Sequence, residues 1–251
     1  MDLGLTDRVY VVTGGARGLG RAAAEQLVAD GARVVLSGRS ADSLAESVEA
    51  LGDNAIAVVA DNADPATPGR LIDEAREVWG RLDGVLISVG GPPLGSATEA
   101  SDADWTGAFE SVFLGAVRLA REVAAALKDG GSITFVLSTS VKAPLPGLGI
   151  SNGLRPGLAM VAKELADELG PRGIRVNSLL PGRVETERVR SLDDAAADPV
   201  AARAAAEATI PLRRYGRPEE FGRVAAFVMS DAASWITGSV IPVDGGITRG
   251  L

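Results

Sequence analysis

The stretch Val9-Tyr10-Val11-Val12-Thr13-Gly14-Gly15-Ala16-Arg17-Gly18-Leu19-Gly20 decides the fold: an apolar run, a glycine turn, and then the amphipathic segment Leu19–Asp30. A continuous apolar run ending at glycines reads as a strand covered on both faces, because such strands show no polar alternation. Glycines let a backbone turn tightly and approach a ligand with no Cβ in the way. The helix that follows offers unpaired N–H groups and the positive end of its dipole, which together suit a pyrophosphate. A glycine-rich turn alone is usually just a turn. Between a strand and a helix it becomes a dinucleotide-binding candidate. Gly14, Arg17, Gly18, Leu19 and Gly20 are therefore candidate cofactor contacts.

Working outward, the same alternation fills the chain. Strand candidates are Val9–Val12, Arg33–Leu36, Ala55–Val59, Gly84–Ser88, Ile133–Leu137, Arg175–Leu180 and Val240–Val243. Amphipathic stretches such as Leu71–Trp79, Trp105–Leu127, Leu158–Leu169 and Glu219–Met229 lie between them. Repeated βα units predict an α/β chain: one Rossmann domain over 1–251, with a doubly wound parallel sheet of seven strands and helices on both faces. Residues 183–210 hold no strand, are rich in Ala and charge, and contain Pro199. They read as a helical lid over the sheet's C-terminal edge. In it, Arg188 and Arg190 would meet an anionic substrate or serve as solvated surface charges.

Composition limits the chemistry. The 251 residues carry a net charge of −8, which argues against a nucleic-acid or anionic-membrane partner. The opening residues MDLGLTDRVYVV lack a basic region followed by an apolar run, so a cytoplasmic chain is expected. There is no Cys and no His, which removes thiol nucleophiles, imidazole bases and the common zinc ligands, and no metal site is expected. Two tyrosines (Tyr10, Tyr215) and three lysines (Lys128, Lys142, Lys163) remain, with the arginines, as groups titrating above neutral pH.

At the end of the second strand, where an NAD enzyme places an acid against the ribose 2′-hydroxyl, this chain has Ser37-Gly38-Arg39-Ser40. A guanidinium there suits the 2′-phosphate of NADP(H) through charge-assisted bonds.

The spacing from Thr13 through Gly14, Gly18 and Gly20 resembles that of the short-chain dehydrogenase/reductase family. So do Arg175-Val176-Asn177 leading to Pro181-Gly182, the segment Gly216-Arg217-Pro218-Glu219-Glu220, Ile236-Thr237-Gly238, and Val243-Asp244-Gly245-Gly246. The likeness runs from about residue 5 to residue 248. It implies that Arg17 is a second basic residue for NADP(H), and that Asp61 and Asn62 contact adenine. It further implies that Gly90, Pro181, Gly182, Val184 and Thr186 line the cofactor, and that the chain forms a homo-oligomer, tetramer or dimer, through its long helices and its C-terminal segment.

Typical members use an Asn-Ser-Tyr-Lys tetrad. Here the resemblance puts Ser151 at the Tyr position, Arg155 at the Lys position and Val112 at the Asn position, and only Ser138 matches, with Ser140 as a close competitor. Pro156 disfavours helical geometry at Arg155, which predicts a helix starting at Pro156 and a loop over Ser151–Arg155. Lys142, four residues after Ser138, is a replacement proton donor or a solvated lysine. Gly90-Gly91-Pro92-Pro93, Ser140-Val141-Lys142 and Ser151-Asn152 are similar to a divergent branch near the 3-oxoacyl-acyl-carrier-protein reductases. The expectation is an NADP(H)-dependent oxidoreductase acting on a small-molecule carbonyl or alcohol, such as a 3-oxoacyl thioester. The alternatives are a cofactor-binding subunit without catalysis and a non-redox cyclase or isomerase.

Overall fold

The apolar runs pair side by side in a computed structural model that describes residues 2–194 and 196–250. The strands are β1 (Val9–Thr13), β2 (Arg33–Gly38), β3 (Ala55–Val59), β4 (Gly84–Ser88), β5 (Gly131–Val136), β6 (Ile174–Pro181) and β7 (Val240–Val243). All pairings are parallel, in the order β3-β2-β1-β4-β5-β6-β7. The chain winds outward from β1 to β3 and then crosses back to β4. That reversal opens a crevice above the C-terminal ends of β1 and β4, where open α/β sheets bind ligands.

Successive residues of a strand face opposite sides, and the two cores follow that rule. Val9 and Val11 point to one side with Leu71, Leu119 and Leu158, while Tyr10 and Val12 point to the other with Leu27, Phe221 and Ala225. The helices delivering these side chains are α1 (Gly18–Ala29), α2 (Ala41–Leu51), α3 (Thr67–Trp79), α4 (Asp102–Ala108), α5 (Gly115–Ala126), α6 (Gly149–Leu169), α7 (Glu187–Asp194), α8 (Pro199–Thr209) and α9 (Pro218–Met229). This is the Rossmann architecture expected from the sequence. Among the described residues no helix is long and apolar enough to cross a membrane.

Three local features differ from the expectation. The segment expected as one helix, Trp105–Leu127, is α4, a π-helical turn over Phe109–Leu114, and α5. The widened turn fits a close approach: a Cβ on Gly115 would lie 2.2 Å from the Asn62 carbonyl oxygen. Helix α2 was not foreseen, although Ser40 caps it by accepting from the Ser43 N–H. Most important for the site, α6 begins at Gly149, so Ser151–Arg155 is helix rather than loop and Pro156 lies inside it.

Tertiary contacts explain that last correction. The Asn152 side chain pairs with the Leu145 backbone, accepting from its N–H at 3.0 Å and donating to its carbonyl at 2.9 Å. Gly153 lies against the Trp105 ring, where a Cβ would come within 2.8 Å, and Gly157 lies equally close to Phe113. These contacts seat the first turns of α6 against α4 and the π-turn, and they outweigh the local preference of the residue before a proline.

Candidate active site

The C-terminal ends of β1, β2, β4, β5 and β6 surround one elongated cavity of about 1030 Å³. Its first end is built mostly from backbone. Gly14 has φ +60°, and a Cβ there would fall 2.5 Å from the Ser88 carbonyl oxygen. Gly18 also has positive φ and faces the cavity, so its side of the turn stays open. Gly20 is the exception among the glycine candidates. It does not line the cavity but packs behind it, where a Cβ would lie 2.3 Å from the Gly14 carbonyl oxygen.

The helix start above this turn has the form of an anion cradle. Arg17 is the N-cap of α1, no side chain caps that end, and the first turn holds no acid. Helices α2, α4 and α8 are capped by Ser40, Ser101 and Asp198, whereas α3, α5 and α6 share the missing cap, so what singles out α1 is that its first residues line the cavity. The unpaired N–H groups of α1 therefore face the cavity and suit a phosphate group.

Arg39 is exposed on the rim and makes no ion pair or hydrogen bond among the described residues. Arg17 donates to Ser43 Oγ at 3.1 and 2.7 Å and reaches Glu187 at 3.4 Å. Asp61 and Asn62 line the wall below β3, with Asp61 Oδ1 accepting from the Ala63 N–H. Gly90, Pro181, Gly182, Val184 and Thr186 also line the cavity.

The other end is built from side chains. Ser138, two residues past the end of β5, accepts from the Ser140 N–H at 3.1 Å, which leaves its own proton free to point into the cavity. Ser140 is buried behind the lining, with its Oγ 3.4 Å from Ser151 Oγ. Ser151 and Arg155 both line the cavity one helical turn apart on α6. Arg155 is only 5 % exposed. It donates from Nη1 to the Val136 carbonyl at 2.6 Å and from Nη2 to the Val89 carbonyl at 3.3 Å, and its Nε has no partner. Burial, and then the like charge of Arg188, pull its pKa down to about 10, so it stays a cation at neutral pH.

The remaining candidates lie elsewhere. Lys142 is exposed and lies outside the cavity lining, because the tight turn Thr139–Val141 carries it away. Tyr10 donates to the Met229 carbonyl, and burial raises its pKa. Tyr215 donates to Asp193 beneath the Arg203 guanidinium. Arg188 reaches the cavity, whereas Arg190 lines a separate hollow between α7 and α8.

A family model described as Enoyl-(Acyl carrier protein) reductase matches residues 14–248. The 3-oxoacyl-[acyl-carrier-protein] reductase of Salmonella typhimurium is 31% identical over 96% of this chain and 97% of its own. The chain is a short-chain dehydrogenase/reductase. An uncharacterized oxidoreductase of Methylorubrum extorquens is 34% identical over 97% of this chain and 98% of its own. The crystal structure of L-sorbose reductase from Gluconobacter frateurii, complexed with NADPH and L-sorbose, superposes with a TM-score of 0.94 over all of both chains at 30% identity. An oxidoreductase of this family is thus the coarse identity of the protein.

Sequence reasoning missed several residues that this short-chain dehydrogenase/reductase places on the cavity wall. Ser43, Asp104 and Ser111 are among them. Ser111 sits in the π-turn beside buried Val112, and Ser43 is held near Arg17 by the capped start of α2. The Ser40 capping signal was the one local clue to Ser43.

Proposed function

We propose that the protein is an NADP(H)-dependent reductase that interconverts a carbonyl and an alcohol, with 3-oxoacyl thioesters among its candidate substrates. One observation carries this reading. A single cavity joins two arginines, Arg17 and Arg39, to an uncapped helix start and then to Ser138, Ser151 and Arg155. The arginines suit a 2′-phosphate, the helix start a pyrophosphate, and the hydroxyl–guanidinium end a carbonyl.

Bound NADPH would supply a hydride to the carbonyl carbon. The Ser138 hydroxyl donates to the carbonyl oxygen and orients it. The Arg155 cation, buried and fixed by two backbone carbonyls, stabilises the negative charge that develops on that oxygen. The proton then comes from water held among the Ser138 and Ser151 hydroxyls, since Lys142 faces away. Helices α7 and α8 form the lid over this end. Self-association as a dimer or tetramer would use the outer faces of α4–α6, which expose Phe109 and Met160. A cytoplasmic location belongs to the same reading.

A second reading, a cofactor-binding subunit or a non-redox enzyme, draws on a specific fact. No Tyr or Lys side chain is among the residues lining the cavity. Fluorescence titration with NADPH and NADH, followed by single-turnover NADPH oxidation against ketones and 3-oxoacyl thioesters, separates the two. Tighter NADPH than NADH binding with oxidation supports the reductase. Binding without oxidation of any ketone or thioester favours the second reading, and failure to bind either nucleotide removes both the reductase and the cofactor-binding subunit.

A further inference from the structure

The loop leaving β4 holds two guanidinium groups within four residues. Arg155 on α6 donates to the Val89 carbonyl, and Arg188 on α7 donates from Nη2 to the Pro92 carbonyl at 2.9 Å. Between these carbonyls lie Gly90 and Gly91. A Cβ on Gly91 would fall 3.0 Å from Arg188 Nη2, so the bare backbone there lets the guanidinium lie flat on the loop. The glycine–proline motif after β4 thereby brackets both cations against one wall of the cavity.

Neither cation meets an acid. The chain has 33 Asp and Glu against 25 Lys and Arg, so acids are in excess. Yet no ion pair among the described residues involves Arg155 or Arg188. The acids on the cavity wall are engaged elsewhere: Asp61 with the Ala63 N–H, Asp104 with Ser101, and Glu187 with Arg17. Arg155 is nine-tenths buried and keeps an unpartnered Nε. A buried cation with no counter-charge is costly, and a second like charge nearby adds to the cost. An anion entering the cavity relieves both.

We infer that Arg155 and Arg188 form a carboxylate clamp, so that the substrate is a short oxo acid whose carboxylate sits against Val89–Pro92 while its carbonyl meets Ser138. In such an acid the two groups are close enough for Arg155 to serve both. The cofactor's pyrophosphate is the other anion of suitable chemistry, but the open start of α1 already provides N–H donors for it. The clamp rests on the reductase reading and puts a free oxo acid in place of the thioester, which has no carboxylate for it to hold.

Titration calorimetry tests it with the full chain, with and without saturating NADP⁺. The probes are pyruvate, 2-oxobutanoate and levulinate, each beside its methyl ester. At least one acid should bind about tenfold more tightly than its ester, the order expected from one charge-assisted contact. Arg188 is exposed, so Arg188→Gln should fold normally, collapse that preference and leave NADP⁺ affinity unchanged. Arg155→Lys, which keeps the charge but not the planar fork, should lower the preference less. No preference for any acid, or a preference that survives Arg188→Gln, overturns the clamp. Loss of NADP⁺ affinity in Arg188→Gln without loss of acid preference also overturns it and assigns the pair to the pyrophosphate. Acid selectivity in a protein that neither binds nor oxidises NADPH keeps the clamp and removes the reductase reading.

Discussion

The proposed phosphate end of the cavity is shaped by backbone: positive φ at Gly14 and Gly18, close carbonyls, and the bare start of α1. The proposed carbonyl end is lined by side chains: Ser138, Ser151, Arg155 and Arg188. Backbone geometry tolerates few residue types, because a Cβ is either accommodated or not. Side-chain chemistry can be exchanged while the helix carrying it stays in place. The first end carries the glycine spacing that resembles the family's, and on the proposed reading the second keeps only Ser138 of the tetrad.

Gly14→Ala should break the backbone end most severely. The new Cβ would meet the Ser88 carbonyl oxygen at 2.5 Å on a backbone with φ +60°. Overpacking and positive φ together cost about 3 kcal/mol, which lowers Tm by about 6–12 °C for a domain of this size. NADPH binding should weaken about a hundredfold, since the phosphate cradle moves. Thermal melts and fluorescence titration check both. Unchanged values would show that the turn relaxes freely, and the contrast between the two ends would collapse.

Arg155→Met probes the other end. Single-turnover NADPH oxidation should slow about a hundredfold, the usual scale for removing one oxyanion-stabilising donor, while NADPH affinity changes little. In the unsubstituted protein the rate should be flat from about pH 6 to 9, because no lining Tyr or Lys titrates there. It should fall as pH rises through the Arg155 pKa of about 10, since in the proposed mechanism the charged form stabilises the alkoxide. A rate governed by a group titrating near neutrality would point to another proton donor.

Arg39→Ala is expected to act more modestly. A charge-assisted bond on an exposed rim contributes about 1.4 kcal/mol, so the NADPH-over-NADH affinity ratio should fall about tenfold. Separate titrations with the two nucleotides give the ratio. A ratio that does not move would leave the 2′-phosphate to Arg17 alone.

What could be read from the sequence follows the same division. All seven strands were legible to within two residues at each end, because most are predominantly apolar, the central ones from burial on both faces and the partly exposed edge strands β3 and β7 from their short apolar runs. The glycine turn was legible because its context is local. The course of α6 was not: Pro156 argues locally for a late start, and the contacts that override it come from Leu145 in the preceding loop and from Trp105 and Phe113, which are distant in sequence. Nor was the role of the Gly90–Pro93 motif, which becomes visible only when α6 and α7 place Arg155 and Arg188 on either side of it. Gly20 was read as a cofactor contact because it belongs to the motif, and what the sequence did not show is its close packing against Gly14.

Lys142→Ala should have the smallest effect. Spacing alone made Lys142 a candidate proton donor, four residues after Ser138. The turn between them intervenes: Ser138 accepts from the Ser140 N–H, the Val141 N–H returns to the Ser138 carbonyl, and the Lys142 N–H returns to Thr139. That winding directs Ser138 inward and leaves Lys142 exposed, with no side-chain hydrogen bond or ion pair among the described residues. An exposed, unpaired lysine outside the cavity lining is not placed to reach a substrate carbonyl. The substitution should therefore change kcat/KM for NADPH oxidation by less than about twofold, as for a surface change. A loss of a hundredfold would mean that the segment from Val141 to Leu148 swings over the cofactor during turnover. The carbonyl end would then be completed by motion, and its contrast with the preformed backbone end would be one of dynamics as well as of chemistry.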